Sequence, residues 1–153
     1  MPTSHDNILR AALFTPTGNG EWGLPMLAWS APGMAKSAKI EDLAASCDLP
    51  CEVLSPGERG EGGFGVVPVP KYGADGRTPE TLSYPAPDWT ERFKEGRGIV
   101  FVDELTTAPP AVQPAMLGLV LRKRIGATVL PPGVRVIAAA NPPEQAEIGR
   151  AHV

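Results

Sequence analysis

The sequence lacks any apolar run of the roughly 18 residues that a membrane-spanning helix needs. It also lacks a basic excess, since 14 Lys and Arg stand against 17 Asp and Glu and the formal net charge is −3. A nucleic acid or an anionic membrane is therefore not expected as the main partner. The first residues contain neither a basic segment nor a long apolar segment, so no secretory signal is predicted and we expect a cytoplasmic protein.

Cysteine and histidine are scarce, with two residues of each. Cys47 and Cys51 lie in the stretch CDLPC, whereas His5 and His152 are far from them in the sequence. Because a structural zinc site needs about four ligands, zinc is poorly supported. We predict two ordinary reduced thiols.

Glycine and proline are abundant, with 17 and 18 residues. Apolar segments flank the region where most of them lie, which predicts long loops rather than disorder. The 153 residues suffice for one domain with a hydrophobic core. Segments with strand patterns alternate with segments of helical spacing, which is typical of an α/β fold with a mainly parallel sheet. Helices are predicted at 4–14, 35–47, 87–96 and 108–124, buried strands at 24–29, 51–55, 98–102 and 134–140, a short strand and turn at 124–133, and possible edge strands at 66–70 and 81–84.

The stretch SAPGMAKS follows a predicted strand and opens a predicted helix. It resembles the phosphate-binding pattern G-x-x-x-x-G-K-[ST], although Ser30 and Ala35 stand where that pattern has glycine. Backbone N–H groups from Gly33 onward and the positive N-terminus of the helix would face phosphates. Lys36 would pair with the β- and γ-phosphates, and the hydroxyl of Ser37 would bind Mg²⁺. The alternative is an accidental A-K-S tripeptide. The predicted nucleotide-binding residues are Ala31, Pro32, Gly33, Met34, Ala35, Lys36 and Ser37.

Polar residues also end two other apolar strands. Asp103 and Glu104 follow the run IVFV, and a buried strand that ends in two carboxylates is costly without a use for them. Asp103 would hold Mg²⁺ through water and Glu104 would polarise the attacking water, whereas the alternative is an ordinary helix N-cap pair. Asn141 ends the strand VIAAA, where its amide could orient that water or contact the γ-phosphate. The alternative there is a turn-forming Asn before proline.

All three motifs lie at the carboxyl ends of predicted strands, where open α/β sheets bind ligands. Together they resemble the AAA+ ATPases, specifically the MoxR-like or dynein-related group. PGMAKS is similar to Walker A, IVFVDE is similar to Walker B, Asn141 falls where sensor 1 is expected, and the resemblance covers roughly residues 25–143. It implies a P-loop three-layer sandwich that binds ATP and Mg²⁺, hydrolyses ATP, and works in a ring, commonly a hexamer, that remodels client proteins. The segment GGFGVVPVP resembles the stretch that carries a loop facing the ring pore.

The resemblance also sets the expected domain limits. We predict an AAA+ core over residues 1–147 that holds Walker A, Walker B and sensor 1 but is incomplete. The family's arginine finger, sensor 2 and helical lid are expected further on, and Arg150 is not assigned as the finger. Residues 148–153, IGRAHV, can be encoded by a common sequencing-library adaptor, which predicts a non-native tail. The chain alone is therefore expected to bind ATP weakly and to turn over very little.

Two other functions remain open at this point. A non-hydrolysing nucleotide-binding subunit with a regulatory or scaffold role is favoured by Ser30 and opposed by Glu104. A P-loop kinase is opposed by the strand that ends in Asn141. The basic cluster Arg122, Lys123 and Arg124 is interpreted as a solvated helix end, with a contact to a neighbouring subunit's nucleotide as the alternative. Trp22, Trp29 and Trp89 are interpreted as packing residues.

Overall fold

Four parallel strands form the central sheet of the computed structural model, which describes residues 4–29 and 35–142. The strands, numbered along the chain, are β1 (Met26–Trp29), β2 (Cys51–Leu54), β3 (Val69–Tyr72), β4 (Pro79–Ser83), β5 (Arg97–Val102), β6 (Arg124–Ile125), β7 (Thr128–Val129) and β8 (Gly133–Ala140). The helices are α1 (Ser4–Phe14), α2 (Lys36–Ser46), α3 (Pro56–Arg59) and α4 (Gln113–Arg122). The sheet order is β1-β8-β5-β2, so the predicted α/β class with a parallel sheet is confirmed. Within the described ranges, no helix is long and apolar enough to cross a membrane.

Helices cover both faces of this sheet. On one face, α1 and α2 pack through Leu13, Ile40 and Leu43 against the odd-numbered residues of β5 and β8. On the other face, α4 and the 3₁₀ segments pack against the even-numbered residues of the same two strands. Both faces of β5 and β8 are covered, and apart from Arg97 and Arg135 these strands are apolar, as the sequence predicted for buried strands of a parallel sheet.

β1 differs from its prediction as a buried strand. Among the described residues it pairs only with β8, and it therefore lies at an edge of the central sheet. Leu27 and Trp29 are 40% and 54% exposed. Their register partners are Ala138 and Ala140 of β8, so they lie on the face that α4 covers elsewhere. The apolar run LPMLAW could not distinguish an edge strand from a central one.

Two of the predicted helices differ in the structure, one in its type and the other in its first residue. The segment predicted at 87–96 is a 3₁₀ helix from Asp88 to Phe93, with Pro87 rather than Asp88 as its N-cap. Helix α4 begins at Gln113 and not at residue 108, and the turn before it is closed by the Pro109 carbonyl, which accepts from the N–H groups of Val112 and Gln113. Two further 3₁₀ segments span Gly62–Phe64 and Leu105–Thr107.

The predicted edge strands at 66–70 and 81–84 form a separate hairpin instead. β3 and β4 pair only with each other within the described chain, and the carboxylate of Asp75 accepts bonds from Arg77 and Thr78 in the turn between them. Every residue of β3 is exposed, as are the first four residues of β4. β6 and β7 make a second short hairpin, which confirms the strand and turn predicted there.

The three tryptophans differ in burial and in their contacts. Trp89 is buried and donates its indole N–H to the Gly63 carbonyl, as a packing residue should. Trp22 covers the guanidinium of Arg135, whose Cζ lies 5.4 Å from the ring centroid. Trp29 is exposed, so its interpretation as a packing residue is wrong for the described part of the chain.

Edge strand β2 carries a buried carboxylate. Glu52 is 4% exposed and forms ion pairs with Arg59 of α3 and with Arg92, whose Nε lies 3.1 Å from Glu52 Oε2. Arg92 also donates to the Cys51 carbonyl at 3.0 Å. The two guanidinium groups thus tie the segments that follow β2 and precede β5 to this edge of the sheet.

Cys51 is expected to react slowly with alkylating reagents in the native chain. Burial, reinforced by the nearby carboxylates of Glu41 and Glu52, raises the pKa of the Cys51 thiol from 9.0 to about 11, although Arg92 opposes the shift. At pH 8 this reduces the thiolate fraction about 100-fold. Iodoacetamide labelling followed by mass spectrometry should show Cys51 reacting far faster in the urea-unfolded chain. Equal native and unfolded rates at pH 8 would contradict this burial.

The raised pKa of Cys51 also makes the free energy of unfolding depend on pH. Because the folded-state pKa is raised, the contribution of Cys51 to stability is fully present below pH 9 and is lost as the pH rises toward 11.

Candidate functional site

The strands that carry the predicted site residues end at the same carboxyl edge of the central sheet. β1 leads into the SAPGMAKS loop, β8 ends directly before Asn141, and β5 ends directly before Asp103. Since β8 lies between β1 and β5, Asn141 lies between the end of β1 and the acid pair that follows β5. The sheet order therefore brings together residues that are far apart in the sequence.

Lys36 and Asn141 are in direct contact. The ammonium of Lys36 donates to Asn141 Oδ1 at 3.3 Å across 105 positions of sequence. Lys36 is the first residue of α2 and is half-buried, and Asn141 is 9% exposed. The prediction that one site contains both residues agrees with this contact.

Ala35 takes a left-handed backbone conformation, with φ 49° and ψ 37°. This is the position where the phosphate-loop pattern has its second glycine, and glycine adopts such angles without strain. An L-residue pays about 1–2 kcal/mol there. Ala35 therefore takes a backbone conformation that glycine would adopt more easily. The predicted loop residues Ala31, Pro32, Gly33 and Met34, together with Ser30, lie outside the described residues.

Ser37 and Asp103 are the predicted magnesium ligands. Ser37 is the second residue of α2 and is half-buried, as is Asp103. The backbone N–H of Asp103 donates to the Leu54 carbonyl at 2.9 Å, and its Oδ1 accepts from the Glu104 N–H at 2.9 Å. The carboxylate of Asp103 is thus fixed at the start of the turn that follows β5.

Glu104 is exposed and has a left-handed backbone, with φ 54° and ψ 40°. Its carbonyl accepts from the N–H of Thr107 at 3.0 Å and from the Thr107 hydroxyl at 2.9 Å. Strained conformations of this kind concentrate at functional sites and persist where neighbours hold them. Glu104 is also the N-cap of the 3₁₀ segment, so the N-cap interpretation is partly correct, but its side chain makes no cap hydrogen bond.

Two threonines near the acid pair were not singled out from the sequence. Thr107 holds the Glu104 turn, and the Thr106 hydroxyl donates to the backbone carbonyl of Asn141 at 3.4 Å. The spacing of Thr107 three residues after Glu104 is a local signal for a side-chain to backbone bond. The Thr106 bond joins this 3₁₀ segment to the residue that follows β8, 35 positions away, so no local pattern could have indicated it.

The basic cluster needs a correction at Lys123. Its ammonium is buried and donates to the carbonyls of Trp22 at 2.7 Å and Pro132 at 3.3 Å. Burial lowers the pKa of Lys123, while Glu21 opposes the shift. Lys123 is therefore a structural cation rather than part of a solvated helix end. Arg122 and Arg124 are exposed, as predicted.

Two cavities lined by described residues lie away from this edge. One of about 310 Å³ lies between α1 and α2 and includes Leu9, Lys39 and Leu43 in its wall. Another of about 420 Å³ lies beside Arg97. Neither includes Lys36, Asp103 or Asn141 in its wall.

Comparison with models of protein families finds no match, and a search of the curated proteins finds no relative.

Proposed function

We propose that this chain is the ATP-binding and ATP-hydrolysing module of an AAA+ protein of the MoxR-like group, with the P-loop sandwich as its fold. The observation that carries the proposal is the contact between Lys36 and Asn141. It joins the end of the phosphate-loop motif to the end of the strand that resembles sensor 1. The position of β8 between β1 and β5 supports the proposal, because it leaves the acid pair on the other side of Asn141.

The residues at this edge fit a nucleotide phosphate and Mg²⁺. A helix N-terminus and an ammonium group attract phosphate oxygens, and α2 begins with both. The Ser37 hydroxyl and the Asp103 carboxylate are oxygen ligands of the kind that Mg²⁺ prefers, and Asp103 would act through water. When bound, the metal would neutralise charge on the phosphates.

Each side chain has a separate task in this proposal. Lys36 would bind the β- and γ-phosphates. Glu104 would accept the proton of the attacking water, since its exposed carboxylate projects from a turn fixed by Thr107. Asn141 would orient that water from the end of β8. Catalysis would then come mainly from positioning and charge.

The biological role follows from the motif resemblance. We infer a cytoplasmic ring of identical copies, commonly six in this family, that uses ATP to remodel a client protein. The exposed β3–β4 hairpin includes the end of the segment that resembles a pore-facing loop.

Lys36→Ala is expected to weaken ATP binding about 10- to 100-fold, because a hydrogen-bonded charge on the phosphates is lost. Lys39→Ala is the matched control, since Lys39 lies on the same helix and is exposed. It should retain wild-type affinity. Titration calorimetry with ATP and Mg²⁺ measures both variants. Equal affinity in the wild type and Lys36→Ala would exclude this loop as the nucleotide site.

A further inference from the structure

The Lys36–Asn141 contact joins a short amide side chain at the end of a buried strand to a long side chain at the start of a helix. Asn141 follows a buried central strand, and its backbone carbonyl accepts the Thr106 hydroxyl. Lys36 projects its ammonium on a four-carbon chain from the start of α2. An ammonium has only donors, so the amide must present its carbonyl oxygen to it. The amide can therefore act as a fixed support for the ammonium.

We propose that Asn141 is a positioning residue for Lys36 in the binding of nucleotide, an inference that rests on the proposed function. The ammonium carries three donors, and the Asn141 bond uses one of them. Asn141 would hold the side chain in place when the ammonium binds phosphate oxygens. This role acts on binding, whereas orienting the attacking water acts on turnover.

The side-chain amide of Asn141 carries no charge, and this matters for Lys36. An amide oxygen orders Lys36 without cancelling its charge. A carboxylate at the same place would form an ion pair with the ammonium and compete with phosphate for it. Position 141 therefore requires an acceptor without charge, and the isosteric Asn141→Asp is expected to be worse than Asn141→Ala.

ADP binding tests the inference, because ADP has no γ-phosphate and its affinity does not report on the attacking water. Asn141→Ala should weaken ADP binding about 2- to 12-fold, the range expected when one flexible side chain must be immobilised on binding. Asn141→Asp should weaken it more than about 10-fold. A residue with a merely structural role would show the opposite order, since Asp matches the shape of Asn. Thermal unfolding of each variant confirms that it is folded.

A double-mutant cycle with Lys36→Met tests whether the loss of ADP affinity in Asn141→Ala depends on Lys36. In the Lys36→Met chain, Asn141→Ala should no longer change ADP affinity. Unchanged ADP affinity of Asn141→Ala in the wild-type background, or an equal loss in both backgrounds, would overturn the inference and leave the proposed function standing. A folded wild-type chain that binds neither ADP nor ATP would overturn the proposed function and the inference with it.

Discussion

Glu104→Gln is expected to slow ATP hydrolysis about 10²- to 10⁴-fold while ATP and Mg²⁺ still bind. The amide has the shape of the carboxylate but cannot accept the proton of water. The fold should be unaffected, because the turn depends on the backbone of Glu104, whose carbonyl accepts both bonds from Thr107. Single-turnover hydrolysis of radiolabelled ATP with enzyme in excess detects slow turnover in the chain.

Asp103→Asn makes the same carboxylate-to-amide change at the residue before Glu104, and the two variants are compared. Removing this charge should weaken Mg²⁺-dependent ATP binding, because a carboxylate next to the metal is lost. If the two variants showed the same defect, the separate roles of Asp103 and Glu104 would be wrong. A wild-type chain whose single-turnover rate equals that of Glu104→Gln would contradict the role of Glu104 as the base.

Gly98→Ala is expected to destabilise the fold by about 2–5 kcal/mol, the sum of backbone strain and overpacking. Gly98 lies in central strand β5 with φ 151°, a conformation that side chains rarely adopt. A Cβ there would collide with the ring of Phe93 and would approach the Pro50 carbonyl to 2.9 Å. The Phe93 ring is fully buried and cannot move aside without opening the core.

Gly118→Ala provides the control for this experiment. Gly118 lies inside α4, and a Cβ there meets only the Arg124 carbonyl, at an ordinary 3.6 Å. Alanine should stabilise this helix by about 0.5–1 kcal/mol. Urea unfolding of both variants should therefore give changes of opposite sign. A Gly98→Ala chain as stable as the wild type would show that β5 does not require glycine there.

The strands of the fold were predictable where they lie in the interior of the sheet. The apolar runs of β5 and β8, each ended by a polar residue, indicated central parallel strands because both of their faces are covered. β1 has a similar run but lies at an edge, and composition alone cannot give the order of strands. The start of α4 was misplaced because Pro109 and Pro110 can stand before a helix or in its first turn.

The candidate site residues could be named from the sequence, but the contacts among them could not. The strand ends indicated Lys36, Asp103 and Asn141, and the structure places the ammonium of Lys36 on the Asn141 amide. The burial of Lys123 depends on carbonyls of Trp22 and Pro132, one of which is 101 positions away. A run of three basic residues gives no sign of such long-range bonds, so the solvated interpretation failed for its middle member.

The exposed β3–β4 hairpin makes this chain convenient to engineer. Its strands contribute no residue to the buried core on either face of the central sheet. Side chains there can be exchanged with little loss of folding free energy, and the turn around Asp75 is a suitable point at which to insert an epitope or a fluorophore. Such a label would lie outside the buried core and would leave the sheet edge that carries Lys36 and Asn141 unchanged.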